Sequence, residues 1–279
     1  MSNLKEKRLN NLFNPKSGNT LITPIDHGFY MGAVKGLEDP VGMIEKLIKY
    51  KVDGTLMSFG LNKIASQYFG TQDYLPKIMT ADYVIFGDIP GEPNKGVLAN
   101  SYYSSVELAA KYNFDAVKVL FSWGTSVEQQ MDVVKYIGAL VDECESYEMP
   151  LMIEPVQMGL NAPKEKGKDP KVIVDACRIA LELGADILKA PYTGDKESFS
   201  QITKYSHVPV IILGGPKVDS IKGVLQMAKD SLEAGGKGTC FGRNVWGDPN
   251  MENIIAALRD ITHKNAEVDA VCKKYNINN

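Results

Sequence analysis

The chain has 279 residues, with 31 Lys and Arg against 34 Asp and Glu, a net charge of −3. Apolar residues make up 44% and charged residues 23%, which excludes a disordered, collagen-like or disulfide-stapled chain and leaves a globular one able to bury a large core. No basic excess exists to hold nucleic acid or an anionic membrane surface, so any anionic ligand has to be caught by a local site.

The N-terminal stretch MSNLKEKRLNNLF carries no apolar signal core and reads as a short helix ahead of the fold. No run approaches the ~20 apolar residues of a membrane span. A cytoplasmic protein with reduced thiols is expected. Cys144, Cys177, Cys240 and Cys272 lie far apart and form no CxxC pair, and His27, His207 and His263 are scattered too. A zinc site is therefore not expected.

From residue 21 onward, short runs rich in β-branched residues alternate with amphipathic stretches. The runs are 21–26 (LITPID), 54–59 (GTLMSF), 83–88 (YVIFGD), 116–121 (AVKVLF), 151–155 (LMIEP), 187–192 (ILKAPY), 208–214 (VPVIILG) and 238–242 (GTCFG). Near-continuous apolar runs fit strands covered on both faces, as in parallel sheets. The segments between them read as helices at 40–50, 61–69, 104–112, 126–147, 169–183, 196–205, 218–234 and 251–265. Ser126 followed by Gln129 suggests a capping box, and Gly184 and Gly235 stand where helices should stop.

Eight strands alternating with eight helices match a (β/α)8 TIM barrel, one domain over residues 1–279. A doubly wound sheet is the rival. It more often has a glycine-rich turn after its first strand, whereas Asp26-His27-Gly28 follows here without a GxGxxG motif.

In such barrels chemistry sits where the strands end. Asp26 and His27 end the first predicted strand, and Asp88 ends the third, where it is expected to fix the following loop. Lys118 lies in the fourth, Glu154 near the end of the fifth, and Lys189 in the sixth. Lysine is depleted in buried strands because a desolvated ammonium is costly. Two lysines flanking a glutamate on adjacent strands, about 4.8 Å apart per step, converge inside the barrel. A lysine in an apolar pocket beside another cation is expected to have a lowered pKa and to attack a ketone as a neutral amine. The protonated imine then permits C–C cleavage, with Glu154 moving protons and Asp26 holding hydroxyls or sharing that work. His27 is either a base or a hydrogen-bonding scaffold. Gly214-Gly215-Pro216-Lys217 and Gly242-Arg243-Asn244 follow the last two strands, where barrels often bind phosphate on backbone N–H groups. Arg243 adds a bidentate donor. Tyr192 and Trp123 either line the pocket or pack in the core. The 11 methionines read as core filler.

The motifs PIDHG (24–28), GADILKAPYTGD (184–195), VPVIILGGPK (208–217) and GGKGTCFGRNVW (235–246) together resemble one family. It is the class I, Schiff-base family of archaeal-type fructose-bisphosphate aldolases, with the aminodideoxyheptulosonate synthases, the autoinducer-2 thiolase and tagatose-bisphosphate aldolases. The resemblance implies a TIM barrel, no metal or other cofactor, and Lys189 as the imine-forming residue. It also implies Asp26 in the active site, the sugar phosphate on Gly214, Gly215, Gly242 and Arg243, and a homo-oligomer. Ile153-Glu154-Pro155-Val156 stands where the archaeal-type enzymes carry a tyrosine in a YPRG-like motif. That departure is similar to the tagatose-bisphosphate aldolase pattern, in which a strand-5 glutamate is assisted by a strand-4 lysine, here Lys118. The expected partners are phosphorylated ketoses and aldehydes, cleaved to dihydroxyacetone phosphate or a similar ketone and an aldehyde. A transaldolase- or thiolase-type transferase on the same lysine, and a non-catalytic sugar-phosphate-binding barrel, are the alternatives. Specificity on the aldehyde side is expected from the loops at 29–36 and 89–101.

Overall fold

A computed structural model describes residues 3–69, 74–87, 96–215, 217 and 220–277. Eight parallel strands form a (β/α)8 TIM barrel: β1 (Thr20–Ile22), β2 (Thr55–Met57), β3 (Lys77–Thr80), β6 (Ala116–Ser122), β7 (Leu151–Val156), β8 (Ile187–Ala190), β9 (Val210–Leu213) and β10 (Gly238–Cys240). Their spatial order is β1-β10-β9-β8-β7-β6-β3-β2, and a parallel bridge between Ile22 and Gly54 brings the two ends together. The remaining strands, β4 (Asp82–Ile85) and β5 (Ala99–Tyr102), pair antiparallel as a separate ribbon.

Period-two alternation sorts each barrel strand into two faces. Ile22, Leu56, Ile78, Ala116, Met152, Ile187, Ile211 and Cys240 meet in one inner cluster with Leu12 of the N-terminal helix (Asn3–Leu12). That helix closes the N-terminal end of the barrel. The alternate residues, such as Val117, Val119, Ile153 and Leu188, face outward into the layer beneath the helices.

The helices at Pro40–Tyr50 and Lys196–Tyr205 have the predicted bounds. Those at Val127–Ser146 and Pro170–Glu182 are one residue shorter than expected at each end, and that at Met251–Lys264 is one residue shorter at its C-terminal end. Ser126 accepts from the Gln129 backbone N–H at 3.2 Å, but the Gln129 side chain donates to the Asn100 carbonyl instead of returning to the cap, so only half of the capping box forms.

One strand is misplaced by the sequence reading. The third barrel strand is Lys77–Thr80, not 83–88. The barrel needs a stretch buried on both faces, and Lys77–Thr80 is buried throughout, whereas Asp82–Ile85 alternates buried and exposed as a one-sided ribbon does. Asp88, the expected end of that strand, lies outside the described residues, as do residues 89–95 of the expected specificity loop. No helix among the described residues is long and apolar enough to cross a membrane.

Candidate active site

The lumen alternation settles which way the charged residues point. On β6, Ala116 belongs to the inner cluster, so Lys118 two residues on shares its face; Met152 does the same for Glu154 on β7, and Ile187 for Lys189 on β8. The three side chains meet. Oε2 of Glu154 lies 3.0 Å from Nζ of Lys118 and 3.0 Å from Nζ of Lys189. All three are largely sealed from solvent, with side-chain exposures of 4% for Lys118, 9% for Lys189 and 12% for Glu154.

Electrostatics follow from that contact. Burial opposes ionisation of Glu154, but the two ammonium groups outweigh it and bring its pKa down to about 2. Burial also works against charge on Lys118, and the carboxylates of Glu154, Asp82 and Asp26 outweigh it, so its pKa is raised. For Lys189, burial and the Lys118 charge favour the neutral amine, while Cys240, Glu154 and Asp26 favour the ammonium and prevail. Cys240 is itself held as a thiol, pushed up to about 12 by burial, so at neutral pH Glu154 is the main group that keeps Lys189 charged. The expectation of a lowered lysine pKa is thus corrected for the resting site: the neighbouring cation is present, but a shared carboxylate lies between the two lysines.

Asp26 follows β1 and is buried. Its Oδ2 accepts from the Thr80 hydroxyl at 2.7 Å, and its Oδ1 lies 3.5 Å from Nδ1 of His27. His27 opens a short helix, His27–Met31. Burial lowers its pKa to about 4; Arg243 and Lys189 add to the effect, against Asp26 and Glu154. A neutral imidazole wedged between Asp26 and Gly242 fits the scaffold reading better than that of a base titrating near neutrality.

The last two strand-end loops are tied together and to the first. Asn244 Nδ2 donates to the Gly214 carbonyl at 2.9 Å, and Trp246 Nε1 donates to the Pro24 carbonyl at 2.9 Å. Gly215 has φ +62°, a conformation that favours glycine. A Cβ on Gly242 would come within 3.0 Å of both His27 Cε1 and Trp246 Nε1, so only glycine fits there without displacement. Nε of Arg243 is buried with no hydrogen-bond partner among the described residues.

Tyr192 packs its ring on Phe199, and Trp123 on Phe121, which accords with core packing. His207 is exposed, and His263 lies in the helix Met251–Lys264, 2.9 Å from Asp53. Among the described residues no group of three or more His, Cys, Asp or Glu is placed to hold a metal ion. Two site residues escaped the sequence reading. Asp82 accepts from the Leu120 N–H at 2.8 Å beside Lys118, and was hidden by the misplaced third strand. Tyr30, in the same short helix as His27, sets its ring at a tilt against His27 and Phe86, with ring centroids at 5.9 and 5.5 Å; its position three residues after His27 in an aromatic stretch was the available signal.

An eight-stranded barrel with two lysines and a carboxylate buried together in its lumen is the framework of a barrel aldolase. The chain belongs to the DeoC/LacD aldolase family, whose model matches residues 20–248. It is similar to an uncharacterized aldolase of Saccharolobus solfataricus, 29% identical over 96% of this chain and 97% of the relative. It is also similar to the 2-amino-4,5-dihydroxy-6-oxo-7-(phosphonooxy)heptanoate synthase of Streptomyces griseus, 28% identical over 92% of this chain and 89% of the relative. Among solved structures, an archaeal fructose-1,6-bisphosphate aldolase with its catalytic Lys covalently bound to the carbinolamine intermediate superposes with a TM-score of 0.80, at 26% identity over 94% of this chain and 100% of that one.

Proposed function

We propose that this chain is a class I aldolase that makes or breaks a C–C bond in a phosphorylated ketose through an imine at Lys189. The observation that carries the reading is the single Glu154 oxygen lying 3.0 Å from both lysine nitrogens. It gives the nucleophile a proton acceptor in contact and leaves a second cation to hold that acceptor in place.

In the cleavage direction, a proton passes from the Lys189 ammonium to Glu154, and the freed amine adds to the ketone carbon. Glu154 returns that proton to the carbinolamine hydroxyl, which leaves as water and yields the protonated imine. Glu154, again a carboxylate, takes the proton of the substrate hydroxyl at the bond to be broken. The C–C electron pair moves to the imine nitrogen, the aldehyde leaves, and an enamine remains. Protonation of the enamine carbon and hydrolysis of the imine release the ketone and restore Lys189. Lys118 stays charged throughout and orients Glu154. Asp26, fixed by Thr80, is assigned to a substrate hydroxyl, with His27 as its support. Gly214, Gly215, Gly242 and Arg243 are assigned to the phosphate; the unpartnered Nε of Arg243 supports this.

Borohydride reduction in the presence of dihydroxyacetone phosphate tests the reading. A stable mass adduct on Lys189 is expected, lost in Lys189→Met while the fold is retained. Absence of any adduct with the wild-type protein would overturn it.

A further inference from the structure

Asp82 is a wholly buried carboxylate beside the charged trio, and the cycle proposed for Lys189 gives it no task. The backbone sets its place. The Ala81 N–H donates to the Lys118 carbonyl at 2.9 Å. One residue on, Oδ2 of Asp82 accepts from the Leu120 N–H at 2.8 Å and from Asn100 Nδ2 at 3.3 Å. Oδ1 is buried with no hydrogen-bond partner among the described residues, and so is Oδ1 of Asn100. Burial raises the pKa of Asp82, and the charge of Lys118 is the strongest influence against that rise. Two donated bonds at Oδ2, and no acceptor for a proton at Oδ1, suit the ionised form.

Lys118 is the matching donor. Its ammonium carries three N–H groups, and Glu154 is its one hydrogen-bonding partner among the described residues. Leu120, whose N–H marks the Asp82 carboxylate, lies two residues further along β6, about 6.6 Å by strand rise and within the sweep of a lysine side chain. Asp26 is less available, because Thr80 already donates to its Oδ2 and His27 stands against its Oδ1.

In the proposed cycle Glu154 is neutral twice, after taking the proton of Lys189 and after taking that of the substrate hydroxyl. In either state Lys118 is a buried ammonium facing an uncharged acid, which is costly. We infer that Asp82 is a positioning residue, a second counter-ion to which the Lys118 ammonium turns whenever Glu154 carries the proton. One N–H···O bond is exchanged for another, from Glu154 Oε2 to Asp82 Oδ1, and no proton leaves Lys118. Drawing the cation away makes Glu154 more basic at the steps where it accepts a proton. Holding Lys118 charged leaves Lys189 as the amine that attacks. The inference rests on the lysine chemistry proposed above and deepens it.

Two measurements test it. Glu154→Gln has the shape of the protonated acid and leaves Asp82 intact. Its crystal structure should show Lys118 Nζ about 2.7–2.9 Å from Asp82 Oδ1; an ammonium still seated on the side chain at position 154 would overturn the inference. The second is a double-mutant cycle on Asp82→Asn, which keeps the shape and an acceptor for the Leu120 N–H. Exchange of the carbon-bound hydrogen of dihydroxyacetone phosphate for solvent deuterium reads the imine–enamine steps without an aldehyde. Its kcat should fall about tenfold or more in Asp82→Asn, with KM little changed, and on a Lys118→Met background the same change should cost less than about twofold. A merely structural effect relayed through Leu120 or Asn100 would persist on that background. Losses that multiply, or a wild-type rate in Asp82→Asn, would therefore overturn the inference alone, provided the wild-type protein forms its adduct on Lys189. No adduct at all would overturn the lysine reading and this inference with it.

Discussion

Lys118 and Lys189 share one atom: Oε2 of Glu154 stands 3.0 Å from each ammonium nitrogen. The arrangement makes the acidity of Glu154 depend on how many of its cations remain. With both present its pKa is about 2, and a carboxylate that acidic is a poor proton acceptor near neutrality. Once Lys189 is consumed as a neutral carbinolamine, one cation is gone and the carboxylate becomes more basic at the step that needs it. Lys118→Met should mimic that loss in the free enzyme. Glu154 works as a base above its pKa, so raising the pKa moves the acid limb of kcat/KM to higher pH, by on the order of 1–3 units. An acid limb that stays in place would remove Lys118 from this role.

Glu154→Gln keeps the shape and removes the charge. Imine trapping on Lys189 should persist at raised pH, where the amine is neutral without help. Turnover should fall on the order of 10²–10⁴-fold, the usual share of a positioned acid–base group. Two buried ammonium groups then lack a counter-charge, so stability should drop by about 3–5 kcal/mol in denaturant titration. The further change Lys118→Met on that background should recover part of the loss, because the pair is coupled. Unchanged turnover would hand the proton work to Asp26.

Gly242→Ala tests the seam between the first and last strand ends. The added Cβ meets His27 Cε1 and Trp246 Nε1 at 3.0 Å and Pro24 Cγ at 3.2 Å, and all three are held in packed surroundings. The Trp246–Pro24 hydrogen bond has to lengthen to make room. A stability cost of about 1–3 kcal/mol is expected. If this loop binds the phosphate, KM for a phosphorylated substrate should rise tenfold or more with a smaller change in kcat. Steady-state kinetics on phosphorylated and unphosphorylated ketones would separate the two effects, and an equal loss on both would argue against a phosphate role.

The barrel and its trio were legible in the sequence because both follow from period-two burial. AVKVLF, LMIEP and ILKAPY are runs in which a charged residue interrupts hydrocarbon, and the interruption marks the lumen. The third strand was not legible for the same reason. KIMTADYVIF is one continuous β-prone run, and only the alternating exposure of Asp82–Ile85 separates ribbon from barrel. Lys77 at its head looks like a surface residue, yet it is buried. The raised pKa of Lys189 was also out of reach, because it depends on which oxygen of Glu154 lies between the lysines, a matter of side-chain geometry that spacing along the chain leaves open.

Lys77 supplies a test independent of catalysis. It points out of the barrel wall, with Nζ donating to Asn62 Oδ1 at 2.6 Å and lying 4.3 and 4.7 Å from the ring centroids of Phe69 and Phe114. Burial lowers its pKa to about 8, with the charge of Asp115 working the other way. In the unfolded chain a lysine titrates near 10.4. Between about 8 and about 10.4 the unfolded state therefore binds more protons than the folded one, and stability rises with pH across that window. Below it both states are protonated, and the fold carries the full cost of burying the ammonium. Lys77→Met fills the same space without the charge, although it leaves the Asn62 carbonyl oxygen without this donor. At neutral pH it should stabilise the protein by about 1 kcal/mol or more, a rise in Tm on the order of 2–4 °C. The gain should shrink as the pH is raised through the window, because the wild-type lysine is then neutral in the fold. A variant with lower Tm at neutral pH, or with an unaltered pH slope, would show that the aromatic rings and Asn62 already compensate the buried charge.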